Sequence, residues 1–160
     1  MASKSPKNIN RKYGRHLLTM AIIKLIYKYL FLFLVGGLIY CGIEMLWRGH
    51  THWTMLIVGG LCFIFCGSIN ELFDMDMPIW IQMLICAAGI TAIEFVAGII
   101  INIILQLNVW DYSNMPFNIL GQVCLPFSFL WFLLSFVAIW LDDWLRYVLF
   151  GEEEPHYRWW

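Results

Sequence analysis

The chain has 160 residues, of which 61% are hydrophobic and 13% are charged, and its mean hydropathy is +0.72. Soluble proteins are about 45 to 50% apolar and about 25% charged, so the composition excludes a soluble globular protein and indicates a lipid-facing surface. The formal net charge of −1 conceals an asymmetry, because seven of the ten basic residues lie before position 29 and no acidic residue precedes Glu44. Beside an apolar helix, this basic arm favours attraction to anionic lipid headgroups over nucleic-acid binding.

Residues 1–29 are predicted to form a basic cytoplasmic arm that leads into an amphipathic helix. Lys24 and Lys28 interrupt an apolar stretch and are four residues apart, which places both on one helix face. A helix that lies in the membrane interface, with its lysines reaching the headgroups, explains the pattern. A cytoplasmic extension of the first span explains it equally well, so both interpretations stay open.

Four apolar segments are long enough to cross a bilayer, for which about 18 residues suffice. They are predicted at residues 30–47, 53–73, 79–105 and 119–141, within a transmembrane domain of residues 30–150. The predicted fold class is an all-α integral membrane protein, built as a four-helix transmembrane bundle with an N-terminal interfacial helix. Pro126 should kink the fourth span, and residues 151–160 should form a solvated acidic and aromatic tail.

The basic arm also orients the chain in the cell membrane, because Lys and Arg favour the cytoplasmic side. Both termini are therefore predicted to be cytoplasmic. The loop that holds His50 and His52 and the loop of residues 106–118 would then share the outer face. Glu44 and Arg48, four residues apart beside the first of these loops, are predicted to form an ion pair.

The third span carries the most informative pattern. Thr91, Glu94, Gly98 and Asn102 fall within an arc of about 60° on a helix with 3.6 residues per turn, and so form one small and polar stripe. An ionised side chain at mid-span costs on the order of 2.5 to 3.5 kcal/mol or more, and such residues are functional-site candidates that face the bundle interior. The alternative is a structural role, in which a protonated Glu94 hydrogen-bonds a neighbouring helix.

Other polar residues in or beside the spans complete the candidate set. Gln122 and Asp111 join Glu94, Asn102 and Thr91 as a predicted path for a substrate or ion, with Asp111 at its mouth or simply in a loop turn. Asn70 and Glu71, at the end of the second span, form a possible secondary polar site. No metal site is predicted, because the cysteines and histidines lack a metal-site spacing. No catalytic residue and no cofactor is predicted either.

The stretch from Glu94 and Gly98 to the loop sequence WDYSNMPFNILG, residues 110–121, resembles a family of short multi-pass membrane proteins described as ABC-transporter permeases. The resemblance covers roughly residues 34–146. It implies an integral membrane component that works with a partner ATPase. The sequence contains no GxxxxGK[ST] pattern, so ATP hydrolysis would belong to another subunit. Four spans are few for a complete permease, which implies a homo-oligomer or hetero-oligomer.

Three functions are compatible with these features. The first, which we favour, is a permease-like transport component whose polar intramembrane site is centred on Glu94, with protonation of Glu94 as the coupling event. The second is an intramembrane lipid-modifying enzyme that uses Glu94 with Asp111 or Glu71. It is disfavoured because no nucleophile stands beside a base. The third is a non-catalytic, holin-like or scaffold oligomer.

Overall fold

The computed structural model describes residues 6–72 and 77–160, with side chains from Arg15 onward. The first residues of the predicted arm and residues 73–76 therefore lie outside the described part of the chain. The structure comprises four long helices and one short hairpin. Their bounds are α1 Pro6–Arg48, α2 Trp53–Leu72, α3 Ile79–Gly98, β1 Asn118–Ile119, β2 Val123–Cys124 and α4 Leu125–Leu145. Helices α3 and α4 each continue as a π-helical segment, over Ile99–Ile104 and Arg146–Phe150.

Helix α1 is continuous across the boundary between the predicted arm and the first span. Its residues up to Phe31 belong to one compact unit, and Leu32–Trp160 form another. In the first unit the large apolar side chains are mostly exposed, including Leu17, Leu18, Ile22 and Ile26. Exposed apolar side chains at this density are stable in lipid rather than in water. The two interpretations of residues 16–29, an interfacial helix and an extension of the first span, both stay predictions.

The unit from Leu32 to Trp160 is a helical bundle with an apolar exterior. Across both units, the described residues contain four helices that are long and apolar enough to cross a membrane, at Arg15–Arg48, Trp53–Leu72, Ile79–Ile104 and Leu125–Phe150. About three quarters of the chain is helical, with almost no sheet. The predicted fold class is therefore confirmed. Close approach of the helices depends on small residues: a β-carbon at Gly59 would overlap Tyr40, and one at Gly36 would overlap Phe63.

The fourth helix begins later than the sequence predicts. Residues 118–124 form a hairpin in which Asn118 pairs with Cys124 and Ile119 with Val123, and Gly121 in its turn has a φ of +67°. Pro126 consequently stands in the first turn of α4, where its missing N–H leaves no helical hydrogen bond unmade. The predicted start at Ile119 and the predicted kink at Pro126 are both wrong.

The tail packs against the helix ends instead of being fully solvated. The Tyr157 hydroxyl donates to Asp143 at 2.9 Å, the backbone N–H of Ile79 donates to the Arg158 carbonyl at 2.8 Å, and the Trp159 ring lies 5.9 Å from that of Phe136. Tyr157 is partly buried, whereas Arg158 and Trp159 stay exposed, so the tail is solvated as expected over much of its length but also contacts the bundle. Residues 151–160 thus help to position the polar ends of α3 and α4.

Matched glycine substitutions should show that close approach of α1 and α2 stabilises the bundle. Gly59→Ala should lower the free energy of unfolding by about 1 to 3 kcal/mol, because the added methyl overlaps Tyr40 in a packed interface. Gly42→Ala is the control, since a β-carbon there meets no atom within 4 Å, and it should be neutral or stabilising by up to about 1 kcal/mol. Equal unfolding curves in detergent would contradict this packing.

Candidate functional site

The side chain of Glu94 is enclosed in the bundle, with 4% of its surface exposed. Its two carboxylate oxygens accept hydrogen bonds from different helices. The Tyr40 hydroxyl of α1 donates to Oε1 at 2.6 Å, and the Trp131 Nε1–H of α4 donates to Oε2 at 2.7 Å. Both oxygens of the carboxylate are therefore paired, and Glu94 joins α1, α3 and α4 at one point.

The two donors are themselves held in place by stacking. The rings of Tyr40 and Trp131 lie 5.4 Å apart with an angle of 24° between their planes, and both side chains are at most 9% exposed. Stacked aromatic pairs contribute about 0.5 to 1.5 kcal/mol beyond burial. The orientation of both donors toward Glu94 is thus fixed by packing as well as by hydrogen bonds.

A pocket of about 230 Å³ extends along α1 from these donors to the loop end of the bundle, which we define by residues 49–52 and 105–124. Tyr40 and Arg48, eight residues apart on the pocket wall, are separated by about 12 Å along the helix axis. Glu94 lies behind Tyr40 and Trp131 rather than on the wall itself. The lining residues are Tyr40, Ile43, Glu44, Trp47, Arg48, Trp110, Asp111, Tyr112, Phe127, Leu130 and Trp131.

The charged residues at the loop end are organised around an ion pair. Arg48 is paired with Glu44, as the sequence predicts, and its other terminal nitrogen donates to the Val109 carbonyl at 2.8 Å. The Thr51 hydroxyl donates to the second oxygen of Glu44 at 2.5 Å. These contacts connect α1 to the loop of residues 105–117 and leave Asp111 as a further carboxylate on the pocket wall.

Asn102 and Gln122 are brought together, but their bonds go to the loop and not to Glu94. The Asn102 amide donates to Gln122 Oε1 at 2.9 Å and to the Trp110 carbonyl at 3.0 Å, and its oxygen accepts from the Val109 N–H at 2.7 Å. The Trp110 indole N–H donates to the Gln122 carbonyl at 2.9 Å. Asn102 lies in the π-helical end of α3, and this network positions the loop beneath which the pocket opens.

Thr91 and Asp111 occupy separate positions. The Thr91 hydroxyl contacts Ser128 of α4 at 3.0 Å and donates to the Ala87 carbonyl at 2.8 Å. Asp111 is exposed, and its Oδ1 accepts from the Ser113 hydroxyl and N–H at 2.5 and 2.8 Å. These bonds lower the pKa of Asp111 below its usual range. The predicted stripe therefore faces the interior, but its members make distinct contacts.

Asn70 and Glu71 belong to a polar cluster at the opposite end of the bundle. Glu71 pairs with Arg146, whose Nε donates to the fully buried Asp142 at 2.5 Å, and Asn70 donates to Asp143 at 2.7 Å. Sequence reasoning missed Arg146 as the partner of Glu71, because 75 residues separate them. Asp142 and Arg146 are four residues apart on one helix, and this spacing indicates an ion pair and thus a polar cluster at this end of the bundle.

The side chains of Glu94 and of the pocket beside it determine what this site can bind. A carboxylate behind two aromatic donors can bind a proton or attract a cation. Within the described residues, no group of three or more His, Cys, Asp or Glu is arranged to hold a metal ion. Burial raises the pKa of Tyr112 on the pocket wall above its usual value, so this phenol is neutral at physiological pH with or without the shift.

A comparison with known protein families assigns most of the chain to a family. Residues 31–150 match the model of a family described as "Putative ABC-transporter type IV". The matched range is close to the range of residues 34–146 over which the sequence resemblance was drawn, and it includes Glu94 and every residue of the pocket wall. No curated protein and no solved structure matches the chain.

A double-mutant cycle should show that Tyr40 and Glu94 are coupled. Tyr40→Phe removes the donor to Oε1 and should cost about 0.6 to 1.7 kcal/mol of unfolding free energy, the range for hydrogen bonds between transmembrane helices. In a Glu94→Leu background the same change should cost much less. Tyr147→Phe, at a half-exposed position, is the control for loss of a phenol oxygen. Equal costs in both backgrounds would contradict the coupling.

The Asp111 carboxylate should make the loop sensitive to acid. Because its pKa is lowered in the folded chain, its contribution to loop stability is present above the unfolded value of about 3.9 and is lost as pH falls through the folded value. Ser113→Ala should raise the pKa of Asp111 toward about 3.9, measured by carbon-13 NMR of the carboxyl. An unchanged titration would show that the Ser113 hydroxyl does not cause the shift, since the backbone N–H bond of residue 113 remains in the variant. Glu153→Gln, in the exposed tail, should leave the titration unaltered.

Proposed function

Since the chain belongs to the ABC-transporter type IV family, we propose that it works as a permease-like membrane subunit of a transporter, with Glu94 as its internal binding group. The pocket at the loop end is the entrance. Glu94 acts from behind Tyr40 and Trp131, and a change in its charge state alters the contacts between α1, α3 and α4. The membrane location and the transport-type family are the established part of this function.

The observation that carries the proposal is the position of Tyr40 and Trp131. Both line the pocket at the loop end, and both donate to Glu94. A group that enters the pocket therefore reaches the two side chains that determine how the carboxylate is paired. Burial of an ionisable residue at mid-span is costly, and its connection to an open pocket gives that residue a role beyond packing.

Asn102, Gln122 and Asp111 act as positioning residues in this proposal. Asn102 and Gln122 hold the backbone of Val109 and Trp110 in place, and the Asp111 carboxylate contributes charge to the pocket wall. Thr91 connects α3 to Ser128 of α4. In this proposal the substrate or ion enters through the pocket that leads to Glu94. The other residues of the predicted path hold the loop and the helices that form this pocket.

The same proposal includes a partner ATPase and an oligomer. The sequence contains no GxxxxGK[ST] pattern, so the chain would depend on a separate subunit for ATP hydrolysis. The loop end is predicted to face outward, so the opposite end of the bundle, where side chains such as Leu72 are exposed, would be the cytoplasmic surface that such a subunit contacts. Apolar outer faces on all four helices suit both lipid and further copies of the chain.

Purification of the full chain from its native membranes in mild detergent should recover an ATPase in stoichiometric amount. In liposomes, ATP hydrolysis by this complex should vary with pH, and Glu94→Gln should change the shape of that pH profile, because the amide does not titrate while the groups of the ATPase still do. Glu153→Gln, at an exposed tail position, is the charge-matched control and should behave as wild type.

Two results would contradict the proposal. Recovery of a bare homo-oligomer without any ATPase would overturn the transporter-subunit role. An identical pH profile in wild type and Glu94→Gln would assign Glu94 to structure alone, as in the alternative interpretation of the sequence.

A further inference from the structure

The walls of the pocket at the loop end are unusually aromatic for a cavity that also contains carboxylates. Six of its lining side chains are aromatic, and these are Tyr40, Trp47, Trp110, Tyr112, Phe127 and Trp131. Aromatic rings attract cations through the negative potential of their faces, and cages of such rings recognise alkylammonium groups. An apolar, uncharged ligand would need no carboxylate beside these rings.

Neighbouring contacts fix the orientation of the rings. Phe127 stacks on Tyr112 with centroids 4.7 Å apart and meets Trp47 edge-on at 6.2 Å. Tyr40 and Trp131, which also line the pocket, are stacked on each other and donate to Glu94. Because a ring whose O–H or N–H donates to an anion gains electron density, Glu94 strengthens the attraction of these two rings for a cation.

The charges on the pocket wall favour a positive ligand. Arg48 is neutralised by its pairing with Glu44, so the remaining wall charge is the Asp111 carboxylate, and Glu94 lies behind the rings. The hydroxyl of Thr51 and the Val109 carbonyl complete the bonds of Glu44 and Arg48. A phosphate or carboxylate ligand would have to displace Glu44 from Arg48 and would be repelled by Asp111.

The size of the pocket limits the ligand further. Its volume of about 230 Å³ is below the range of about 300 to 1,000 Å³ typical of drug-sized ligands. A compact cation fits this space, whereas a large polycyclic cation does not. An inorganic cation would lose its hydration without gaining a cluster of oxygen ligands.

We propose that this pocket binds a small quaternary ammonium group, of the trimethylammonium type found in choline and in choline lipid headgroups. The inference rests on the proposed transport function, because it names the class of substrate that would enter toward Glu94. The ammonium lies among the aromatic faces, with Asp111 at the loop end and Glu94 behind the inner rings. Recognition depends on the positive charge and not only on the shape of the methyl groups.

The test is binding of radiolabelled choline to the full chain in nanodiscs of phosphatidylglycerol, measured by scintillation proximity. Choline should bind about tenfold more tightly than its neutral carbon analogue, in which a tert-butyl group replaces the trimethylammonium group, since loss of the cation–π attraction removes on the order of 1 to 2 kcal/mol. Equal competition by choline and the neutral analogue would overturn the inference.

Three variants sharpen the assignment to this pocket. Trp47→Leu changes a side chain that is 74% exposed, and Asp111→Asn keeps the acceptor for Ser113. Each should weaken choline binding by about threefold to tenfold. Trp80→Leu, an exposed tryptophan at the other end of the bundle, should bind as wild type. Wild-type binding in both pocket variants would overturn the assignment.

A second arm identifies the source of the ammonium group. In nanodiscs of phosphatidylcholine, loss of choline binding would identify the lipid headgroup as the occupant, and unchanged binding would identify a free solute, and either result supports the ammonium site. Failure of choline to bind while Glu94-dependent ATP hydrolysis persists would reject this inference and leave the transport function standing. Binding of choline by a chain that has no ATPase partner would reject the transport function and leave the ammonium site standing.

Discussion

The rest of the bundle depends on one constraint, the need to satisfy the Glu94 carboxylate inside a hydrocarbon environment. Water cannot solvate it there, so its oxygens must be paired by protein groups. Tyr40 and Trp131 provide one hydrogen bond each. Because these donors come from α1 and α4 while Glu94 stands on α3, the electrostatic requirement also sets the relative rotation of three helices. Gly59 allows the Tyr40 side chain to lie directly against α2.

The same helix that buries Glu94 also holds the loop. Five residues after Glu94, at Ile99, α3 becomes π-helical, a geometry often found at functional sites. Asn102 in this segment bonds the loop backbone. At Gly98, between these two residues, a β-carbon would lie 2.6 Å from the Gln122 amide oxygen. Along the small and polar stripe, Glu94 provides the carboxylate at mid-span. Gly98 allows the close approach of Gln122, and Asn102 holds the loop that forms part of the pocket wall.

Much of the fold could be predicted from the sequence, because bilayer thickness imposes a length on each span and helical spacing reveals a polar face. Glu94 stood out for this reason. Its partners could not be found in the same way, since Tyr40 and Trp131 are 54 and 37 residues away and the sequence carries no signal for the register between helices. The predicted start of α4 is too early for a local reason, since the apolar stretch begins with a hairpin. The turn of this hairpin is stabilised by backbone bonds from the Tyr112 N–H to the Gly121 carbonyl and from the Gln122 N–H to the Ile119 carbonyl. The pairing of Glu71 with Arg146 escaped detection for the same long-range reason.

The hydrogen-bonding character of the two donors connects the charge of Glu94 to the shape of the pocket. An indole N–H can only donate, whereas a phenol can donate or accept. The ionised carboxylate is therefore matched by both partners as they stand. A protonated Glu94 has an O–H that needs an acceptor, and of the two partners only Tyr40 can become one, by rotation of its hydroxyl. The Tyr40 ring lines both the pocket at the loop end and a separate apolar cavity of about 100 Å³ that all four helices line. A change at its hydroxyl therefore reaches both spaces. Under the proposed function, protonation of Glu94 and occupancy of the pocket would act on the same side chain, which is the physical requirement for coupling them.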